Sequence, residues 1–531
     1  MENNSLIFTR KTSGLVKGLS WFDILVLVIS APAGSGILYY SVSTASSYPG
    51  GNIGISFLIG MALFIPVIYL AALNASMIPN SGSLYVLISR TVNPSLGFLA
   101  SALFFIGYTL SIGVVAFVVT QVFGGILVNF GIVNELTGVV KFGTAIQTPL
   151  WSTIGGCLLV FLTWGIVLLG VKVFRNTMRI LFYISMVAIL VAILMFYFSN
   201  SMSVENAFNQ SWGNGNYEKI IELAKSNGWV TSQFSWLQTF NLLLVVLFSY
   251  GGLELISYAS GETTKQKKKN IRAYVFAGFA LGLIYTAIAF SVTHAFGDFI
   301  GAYDFVYKLH LESLKHKEVS ELSKIMSPVA PSIPFYISSI ISNPILGLLI
   351  PIGISIWLIT TMIPYFFAPS RIIFALAMDK VIPESMADVS NKTGAPTKAS
   401  HLTLLFALLG VMFTLLDVGT VLGTILFCAL FVYWLYGAGA IMLPFKNPTI
   451  YSLCPVKKNF LNIPVITWVG MIVFAIGWFV IFVSVKQMTY DIIVSLSIIM
   501  AVLVFYYAAR QIKLKKSGTN TDEIFNQLPP E

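Results

Sequence analysis

Charged residues are scarce in this sequence. Only 10% of its 531 residues are Asp, Glu, Lys or Arg, whereas 56% are hydrophobic and the mean hydropathy is +0.84. Soluble domains carry about 25% charged residues. The composition therefore excludes an ordinary soluble enzyme and predicts an all-α polytopic membrane protein.

Cysteine and histidine are also rare. Cys157, Cys428 and Cys454 have no spacing typical of a metal site or a disulfide framework. The four histidines fall at span ends or in loops, with no nucleophile–base or metal spacing beside them. The sequence thus predicts neither an enzyme active site nor a metal or organic cofactor.

Long apolar runs are abundant. A membrane-spanning helix needs about 20 apolar residues. The eighth run is too long for one plain span, so we expect that span to begin near Ile345, after Pro344. The sequence predicts twelve spans: 21–47, 53–77, 97–128, 150–171, 177–199, 237–260, 272–295, 335–369, 400–416, 418–443, 464–485 and 490–509.

The positions of the basic residues predict the orientation in the membrane. With the N-terminus in the cytoplasm, 23 of the 31 Lys and Arg residues fall in inner segments and 8 in outer segments. This bias predicts a multi-pass plasma-membrane protein with both termini cytoplasmic. We expect the run Lys265–Lys269 to face lipid headgroups rather than nucleic acid.

These spans imply an organisation of the whole chain. We expect residues 200–236 and 297–334, between spans, to form short amphipathic helices, and the polar tail from Lys513 to be disordered. The predicted parts are a cytoplasmic tail (1–20), a first set of five spans (21–199), an extracellular loop (200–236), a second set of five spans (237–443), two further spans (464–509) and a cytoplasmic tail (510–531).

The run Ser30–Gly36 interrupts the first span. Pro32 removes a backbone donor, and Gly34 and Gly36 weaken a helix by about 1 kcal/mol each. In a bilayer, a broken helix is tolerated only where it faces protein or a wet cavity. Its free N–H groups attract anions and its free carbonyls attract cations. The alternative is a close-packing face with a simple proline kink.

Gly251 and Gly252 interrupt the sixth span. Glu254 follows, and it is the only charged residue between Lys225 and Glu262. A carboxylate inside the membrane costs about 3 kcal/mol or more and usually faces a site or cavity. The alternative is a protonated, hydrogen-bonded structural glutamate.

The two interruptions occupy corresponding places in the chain. Spans one and six are the first members of two five-span sets, and they enter the membrane from opposite sides. Such a pair indicates an inverted repeat with a binding site at its interface. The sequence therefore predicts a transporter. A channel is less favoured because no ring of repeated pore motifs is present.

Four motifs resemble, in the same order, those of the amino acid–polyamine–organocation superfamily of permeases. They are Gly34–Leu38, Pro79–Tyr85, Phe248–Glu254 with Gly261–Thr263, and Ser370–Lys380 with Pro383 and Gly394–Pro396. The resemblance implies the leucine-transporter-like fold, with twelve transmembrane helices, a 5+5 inverted repeat and broken helices one and six.

The same resemblance implies a secondary active transporter that moves amino acids by alternating access, coupled to an ion or by exchange. The alternatives are a polyamine or organocation permease and a non-transporting amino acid sensor on the same fold. The expected partners are an amino acid and the lipid bilayer. The sequence does not decide between a monomer and a homodimer.

The two interruptions form the predicted substrate site. The substrate carboxylate would bind the N–H groups and hydroxyl of Ser35 and Gly36, and the ammonium would meet carbonyls near Phe248. By resemblance, Phe248 is a candidate aromatic lid, with an ordinary core or lipid-facing ring as the alternative. Glu254 would couple opening to protonation or substrate charge. The candidate substrate-binding residues are Ala33, Gly34, Ser35, Gly36, Phe248, Ser249, Tyr250, Gly251 and Gly252.

A candidate sodium site lies nearby. Thr360 and Thr361, with the carbonyls of Ser30 and Ala33 and the hydroxyl of Ser185, would supply the oxygens that hard cations prefer. The alternative is that the threonines bond to their own helix. Ser185 also stands where proton-coupled members of the superfamily carry a lysine, which argues against lysine-based proton coupling. Na⁺ and H⁺ both stay open as coupling ions.

Overall fold

The chain folds almost entirely into helices. The computed structural model describes residues 8–10, 12–32, 34, 36–264, 267–326, 328–415, 418–486, 488–519 and 521–530. The α-helices are α1 Trp21–Ser30, α2 Ser41–Ser43, α3 Ile53–Met77, α4 Ser83–Thr91, α5 Pro94–Val133, α6 Thr137–Ile146, α7 Pro149–Leu168, α8 Val171–Phe198, α9 Ser201–Trp212, α10 Asn216–Ser226, α11 Trp236–Asn241, α12 Leu243–Tyr250, α13 Lys267–Phe296, α14 Phe299–Lys315, α15 Glu321–Ile325, α16 Ile333–Ser338, α17 Pro344–Met378, α18 Thr397–Thr414, α19 Val418–Lys446, α20 Pro448–Tyr451, α21 Val465–Lys486, α22 Tyr490–Lys516 and α23 Thr521–Asn526.

The remaining regular elements are short. A π-helical turn covers Gly36–Tyr40, and 3₁₀ helices cover Ala45–Ser47, Leu253–Glu262 and Glu384–Ala387. Strands β1 (Asn459–Phe460) and β2 (Ile463–Pro464) form an antiparallel pair in which Asn459 faces Pro464.

Ten helices in the described part of the chain are long and apolar enough to cross a membrane: α3, α5, α7, α8, α13, α17, α18, α19, α21 and α22. They correspond to ten of the predicted spans. The helix expected to begin near Ile345 begins at Pro344 and continues to Met378, beyond the predicted end at 369. The other two predicted spans, one and six, are divided into shorter pieces.

The two divided spans lie among the long helices. The first broken segment is α1 together with the π-helical turn, and the second is α12 together with the 3₁₀ helix Leu253–Glu262. α1 packs against α13, α12 packs against α3, and the 3₁₀ helix packs against α3 and α17. Buried apolar side chains of α1, α3, α13 and α17 belong to one core, so intact helices hold the broken segments on several sides.

The two loops predicted to form short amphipathic helices do so, as α9, α10, α14 and α15. Tyr217 of α10 stacks on Phe299 of α14, with ring centroids 4.0 Å apart. Asp304 of α14 accepts hydrogen bonds from the Ser46 backbone N–H (2.8 Å) and from Lys308 (2.9 Å). Burial raises the pKa of Asp304, while Lys308 opposes this shift. These contacts attach α14 to the segment that follows the first broken segment.

The expectation of a disordered tail from Lys513 is wrong. α22 continues to Lys516, and α23 follows it. Ile524 and Phe525 are only 1% and 9% exposed. Arg90 donates hydrogen bonds to the carbonyls of Ile524 (3.4 Å) and Gln527 (3.2 Å). The expectation rested on the polar composition of the tail as a whole, but two of its apolar side chains, Ile524 and Phe525, are buried against the rest of the protein.

Arg90 also forms a buried ion pair with Asp379, at 2.9 Å between Nη2 and Oδ1, with both side chains fully buried. We expect Arg90→Gln to lower the free energy of unfolding by about 3–5 kcal/mol, because it leaves a buried carboxylate without its partner. Denaturation by SDS in mixed micelles measures this change.

The exposed pair Lys398–Asp388, at 2.7 Å, is the matched control. We expect Lys398→Gln to cost less than about 1 kcal/mol, since water screens exposed pairs. Equal effects of the two substitutions would contradict the assignment of Arg90 to the core.

Candidate functional site

In the first broken segment α1 ends at Ser30, and the last helical hydrogen bond is donated by the Ala31 N–H to the Leu27 carbonyl at 2.8 Å. Ala31 and Pro32 follow outside any helix, and Pro32 has no N–H to donate. The Thr361 hydroxyl of α17 lies 3.2 Å from the Ser30 carbonyl and 3.0 Å from the Pro32 carbonyl. The Gly34 N–H donates to this same hydroxyl at 3.4 Å. The Thr361 hydroxyl can therefore donate to one of these carbonyls while it accepts from Gly34, which partly replaces the helical hydrogen bonds lost at the break.

Two predicted residues of this break, Ala33 and Ser35, lie outside the described residues. The predicted contacts of the Ser35 hydroxyl and the Ala33 carbonyl stay predictions. Gly34 is buried against α17: a Cβ atom added there would lie 3.5 Å from the Trp357 ring. The Trp357 Nε1–H, on a fully buried side chain, has no hydrogen-bond partner among the described residues. A buried donor therefore lies beside the first break.

The second broken segment turns at Gly251 and Gly252. Gly252 has φ +105°, a left-handed conformation that only glycine adopts without strain. A Cβ atom at Gly252 would lie 3.0 Å from the Ala31 carbonyl oxygen and 3.1 Å from the Tyr365 hydroxyl. The two breaks therefore approach each other backbone to backbone, and a Cβ atom at Gly252 would be in unusually tight contact.

A second close approach joins the segments at Gly36 and Ser249. A Cβ atom at Gly36 would lie 2.6 Å from the Ser249 Cα. The structure thus brings together the predicted residues Gly34, Gly36, Ser249, Gly251 and Gly252. Tyr250 lies on the same turn, and the side chain of Phe248 lies outside the described residues, so its role as a lid stays a prediction.

Tyrosine hydroxyls bond to the carbonyls of the second break. Tyr285 of α13 donates to the Ser249 carbonyl at 3.2 Å, and Tyr365 of α17 donates to the Gly251 carbonyl at 3.2 Å. A carbonyl oxygen has two lone pairs, so each can accept a further bond from a ligand. Sequence reasoning missed both tyrosines. Their signal was a polar-tipped aromatic residue in the middle of an apolar span.

Aromatic rings enclose the two breaks. The Tyr250 ring lies 5.4 Å from Phe64 and 5.3 Å from Tyr285, and the Tyr285 ring lies 5.5 Å from Trp357. All four side chains are buried. Ring faces attract cations, most strongly where water is excluded. The surroundings of the breaks therefore suit an ammonium group as well as an apolar side chain.

Glu254 is fully buried, two residues beyond the second break. Tyr108 of α5 donates to its Oε1 at 2.7 Å, and Tyr433 of α19 donates to its Oε2 at 2.9 Å. The Tyr108 ring also meets the Tyr365 ring edge-on, with centroids 4.9 Å apart. Glu254 is thus connected through two tyrosines to the Gly251 carbonyl. The sequence pointed to Glu254 but not to its donors.

The candidate sodium oxygens are only partly assembled in the described part of the chain. The Thr360 hydroxyl donates to the Trp357 carbonyl (2.7 Å), and the Ser185 hydroxyl donates to the Phe182 carbonyl (3.1 Å). Each of these hydroxyls thus bonds to a carbonyl of its own helix, which is the alternative to a sodium site. The Thr361 hydroxyl lies 3.3 Å from the Trp357 carbonyl of its own helix and 3.2 Å from the Ser30 carbonyl.

The broken segments are also joined where the first begins and the second ends. The N–H groups of Gly18 and Leu19 donate to the Glu262 carbonyl at 2.9 and 3.0 Å. The Glu262 carboxylate pairs with Arg371 of α17 at 2.8 Å, and both side chains are buried. A separate cavity of 330 Å³ lies beyond the other end of the first broken segment, and Asn52 is one of the residues that line it.

Known proteins resemble this chain over most of its length. A family model described as "Amino acid permease" matches residues 19–300 and 316–506. The "Methylthioribose transporter" of Bacillus subtilis (strain 168) is 24% identical over 426 residues, which cover 77% of this chain and 79% of that protein. The "Branched-chain amino acid permease BcaP" of the same organism is 21% identical over 398 residues, which cover 74% of each chain.

The family match spans both broken segments and all ten long helices, at least in part. Together with those helices, it identifies a multi-pass membrane transporter and agrees with the resemblance that the motifs indicated. The chain belongs to the amino acid permease family.

Proposed function

We propose that this protein is a secondary active transporter that moves amino acids across the plasma membrane by alternating access. The proposal includes twelve spans in a 5+5 inverted repeat, with both termini in the cytoplasm. One observation carries it: two helices are interrupted, and their interruptions meet backbone to backbone at Gly36 and Ser249 and at Gly252 and Ala31. Interrupted helices of this kind form substrate sites in transporters with inverted repeats.

In this proposal, backbone groups bind the two charges of the substrate. The carboxylate accepts hydrogen bonds from N–H groups of residues 34–36 and from the buried Trp357 Nε1–H. The ammonium donates to the carbonyls of Ser249 and Gly251 and lies against the Tyr285 ring. Charge-assisted hydrogen bonds of this kind are about twice as strong as neutral ones. The substrate side chain contacts the aromatic rings around Tyr250.

Glu254 is the proposed coupling residue. It lies two residues from the second break and is linked to it through Tyr108 and Tyr365. A change in its charge would alter the hydrogen bonds of two helices outside the broken segments, α5 and α19. That is the kind of local event that biases a two-state rocking motion.

A ligand screen followed by transport tests this function. Purified protein is heated with each amino acid, common polyamines and methylthioribose, and the hits are assayed for uptake into proteoliposomes. We expect stabilisation only by compounds with both a carboxylate and an ammonium, and lost binding for their amides. Uniform lack of stabilisation by amino acids would overturn the proposal. Binding without flux would indicate the sensor alternative.

Methylthioribose is the second candidate substrate, because one relative of this chain is named "Methylthioribose transporter". It has no carboxylate or ammonium, so it would use the aromatic rings and hydroxyl donors rather than the helix ends. Stabilisation by methylthioribose and not by amino acids would favour this candidate.

Thr361→Val should lower uptake roughly tenfold, because an unsatisfied buried polar group costs about 1–3 kcal/mol. The substitution keeps the side-chain shape but leaves the groups at the first break without their hydroxyl partner. Uptake is measured with sodium and proton gradients imposed separately, and indifference of the wild type to sodium would discard the sodium site.

Two controls accompany this variant. Thr361→Ser keeps the hydroxyl and should retain most uptake. Thr403 of α18 is equally buried and donates only to Ala399 of its own helix, so Thr403→Val should behave as the wild type. Wild-type uptake in Thr361→Val would show that the hydroxyl has no role at the break.

A further inference from the structure

A cavity of 230 Å³ lies away from the two helix breaks. Its wall includes Lys17 before α1, Ser76 near the end of α3, and Thr264 after the second broken segment. Lys267, at the start of α13, also lines the cavity. Since these helix ends adjoin polar loops, the cavity lies where a membrane helix bundle meets the lipid headgroups.

The charged residues described in this wall are basic. Lys17 and Lys267 both line the cavity, and none of its described lining residues is Asp or Glu. Lys268, Lys269 and Arg272 follow in the next turns. A concave surface with charges of one sign concentrates ligands of the opposite sign. The wall therefore favours an anion.

Two polar groups in the same wall are buried without a partner. The Tyr274 hydroxyl and the Asn270 Oδ1 have no hydrogen-bond partner among the described residues, on side chains that are 1% and 8% exposed. The Asn270 amide nitrogen is already bonded, to the Thr264 carbonyl at 3.1 Å. Buried polar groups usually have partners. The wall thus presents one unpaired donor and one unpaired acceptor near the positive charges of Lys17 and Lys267.

We propose that this cavity binds an anionic phosphoglycerol group. The two lysines pair with the phosphate oxygens, and the Tyr274 hydroxyl donates to one of them. The Asn270 Oδ1 accepts from a glycerol hydroxyl. This chemistry is shared by the headgroup of phosphatidylglycerol and by free glycerol phosphate, and it discriminates against choline headgroups, whose positive charge the lysines repel.

A ligand in this cavity would lie next to the hydrogen-bonded junction between the two broken segments. Gly18 and Leu19, next to Lys17, bond to Glu262, and Thr264 bonds back to the Leu19 carbonyl at 2.9 Å. A phosphate that joins Lys17 to Lys267 strengthens this junction between the two broken segments. Bound phosphoglycerol then favours the conformation in which these ends are joined, which the rise in melting temperature reports.

Binding is tested on the full chain without any transport assay. Delipidated protein in neutral detergent receives phosphatidylglycerol or phosphatidylcholine of equal chain length, and native mass spectrometry counts the lipid retained. We expect one phosphatidylglycerol to be retained and to raise the melting temperature, and phosphatidylcholine to do neither. Glycerol 3-phosphate and inorganic phosphate are added in separate samples. Stabilisation by either soluble compound at low millimolar concentration assigns the site to free phosphate rather than lipid.

Substitutions locate the binding. Lys17→Gln with Lys267→Gln should weaken phosphatidylglycerol binding roughly thirtyfold, given the attraction of each lysine to an anionic headgroup. Tyr274→Phe, which keeps the ring, should weaken it several-fold. Lys141→Gln with Lys225→Gln removes the same charge elsewhere and should leave binding unchanged. Equal retention by both double variants, or equal retention of the two lipids, would overturn the proposal.

Discussion

Gly36→Ala is expected to reduce uptake roughly a hundredfold. The added methyl group would lie 2.6 Å from the Ser249 Cα, so the backbone of one broken segment must move away from the other. Overpacking costs about 1–3 kcal/mol, and backbone cannot yield as a flexible side chain does, which favours the upper end. A penalty of that size on the packed conformation lowers its population by about two powers of ten.

Gly165→Ala is the matched control for this variant. Gly165 is also a helical glycine, in α7, but a Cβ atom there would meet nothing within 4 Å. Alanine favours a helix over glycine by about 1 kcal/mol, so this variant should transport normally and melt slightly higher. Initial rates of uptake, corrected for the amount of folded protein, make the comparison. Normal uptake by Gly36→Ala would show that the two segments do not need to touch.

Glu254 substitutions should separate coupling from folding. Glu254→Gln keeps the size of the side chain and can still bond to Tyr108 and Tyr433, because a phenol can accept as well as donate. We expect this variant to fold, to bind substrate, and to lose the acceleration of uptake by a proton gradient. We expect the acceleration of uptake by the gradient to fall tenfold or more, which corresponds to about 1.4 kcal/mol or more of coupling energy.

Glu254→Ala should instead destabilise the protein. It leaves two buried phenols without their acceptor, each at a cost of about 1–3 kcal/mol. Glu312, on α14, is exposed, and its change to Gln should alter neither property. If Glu254→Gln keeps its full response to the proton gradient while Glu254→Ala unfolds, then Glu254 is the hydrogen-bonded structural glutamate.

The interruptions of the two helices could be predicted from sequence because their causes are local. Pro32 removes a donor whatever surrounds it, and Gly252 takes a left-handed conformation that few other residues tolerate. The lengths of the apolar runs are equally local, which is why α3 begins and ends at the predicted residues. These features need no knowledge of which helices are neighbours.

The partners of the interruptions could not be predicted, because they come from distant parts of the chain. Tyr365 lies 114 residues from Gly251, and Thr361 lies 331 residues from Ser30. Tyr108 and Tyr433 reach Glu254 across 146 and 179 residues. An apolar span with one tyrosine or threonine looks the same whether that residue faces lipid, a neighbouring helix or a site. Only the packing of the helices decides this.

We infer that a zwitterionic solute is held between the two helix interruptions. Electron cryomicroscopy of the protein in nanodiscs, with the amino acid that stabilises it most, tests this claim directly. We expect density in which the carboxylate lies about 3 Å from an N–H of residues 34–36 and the ammonium lies at the same distance from the Ser249 or Gly251 carbonyl. Density at any other place, or continuous helices through Pro32 and Gly252, would contradict it.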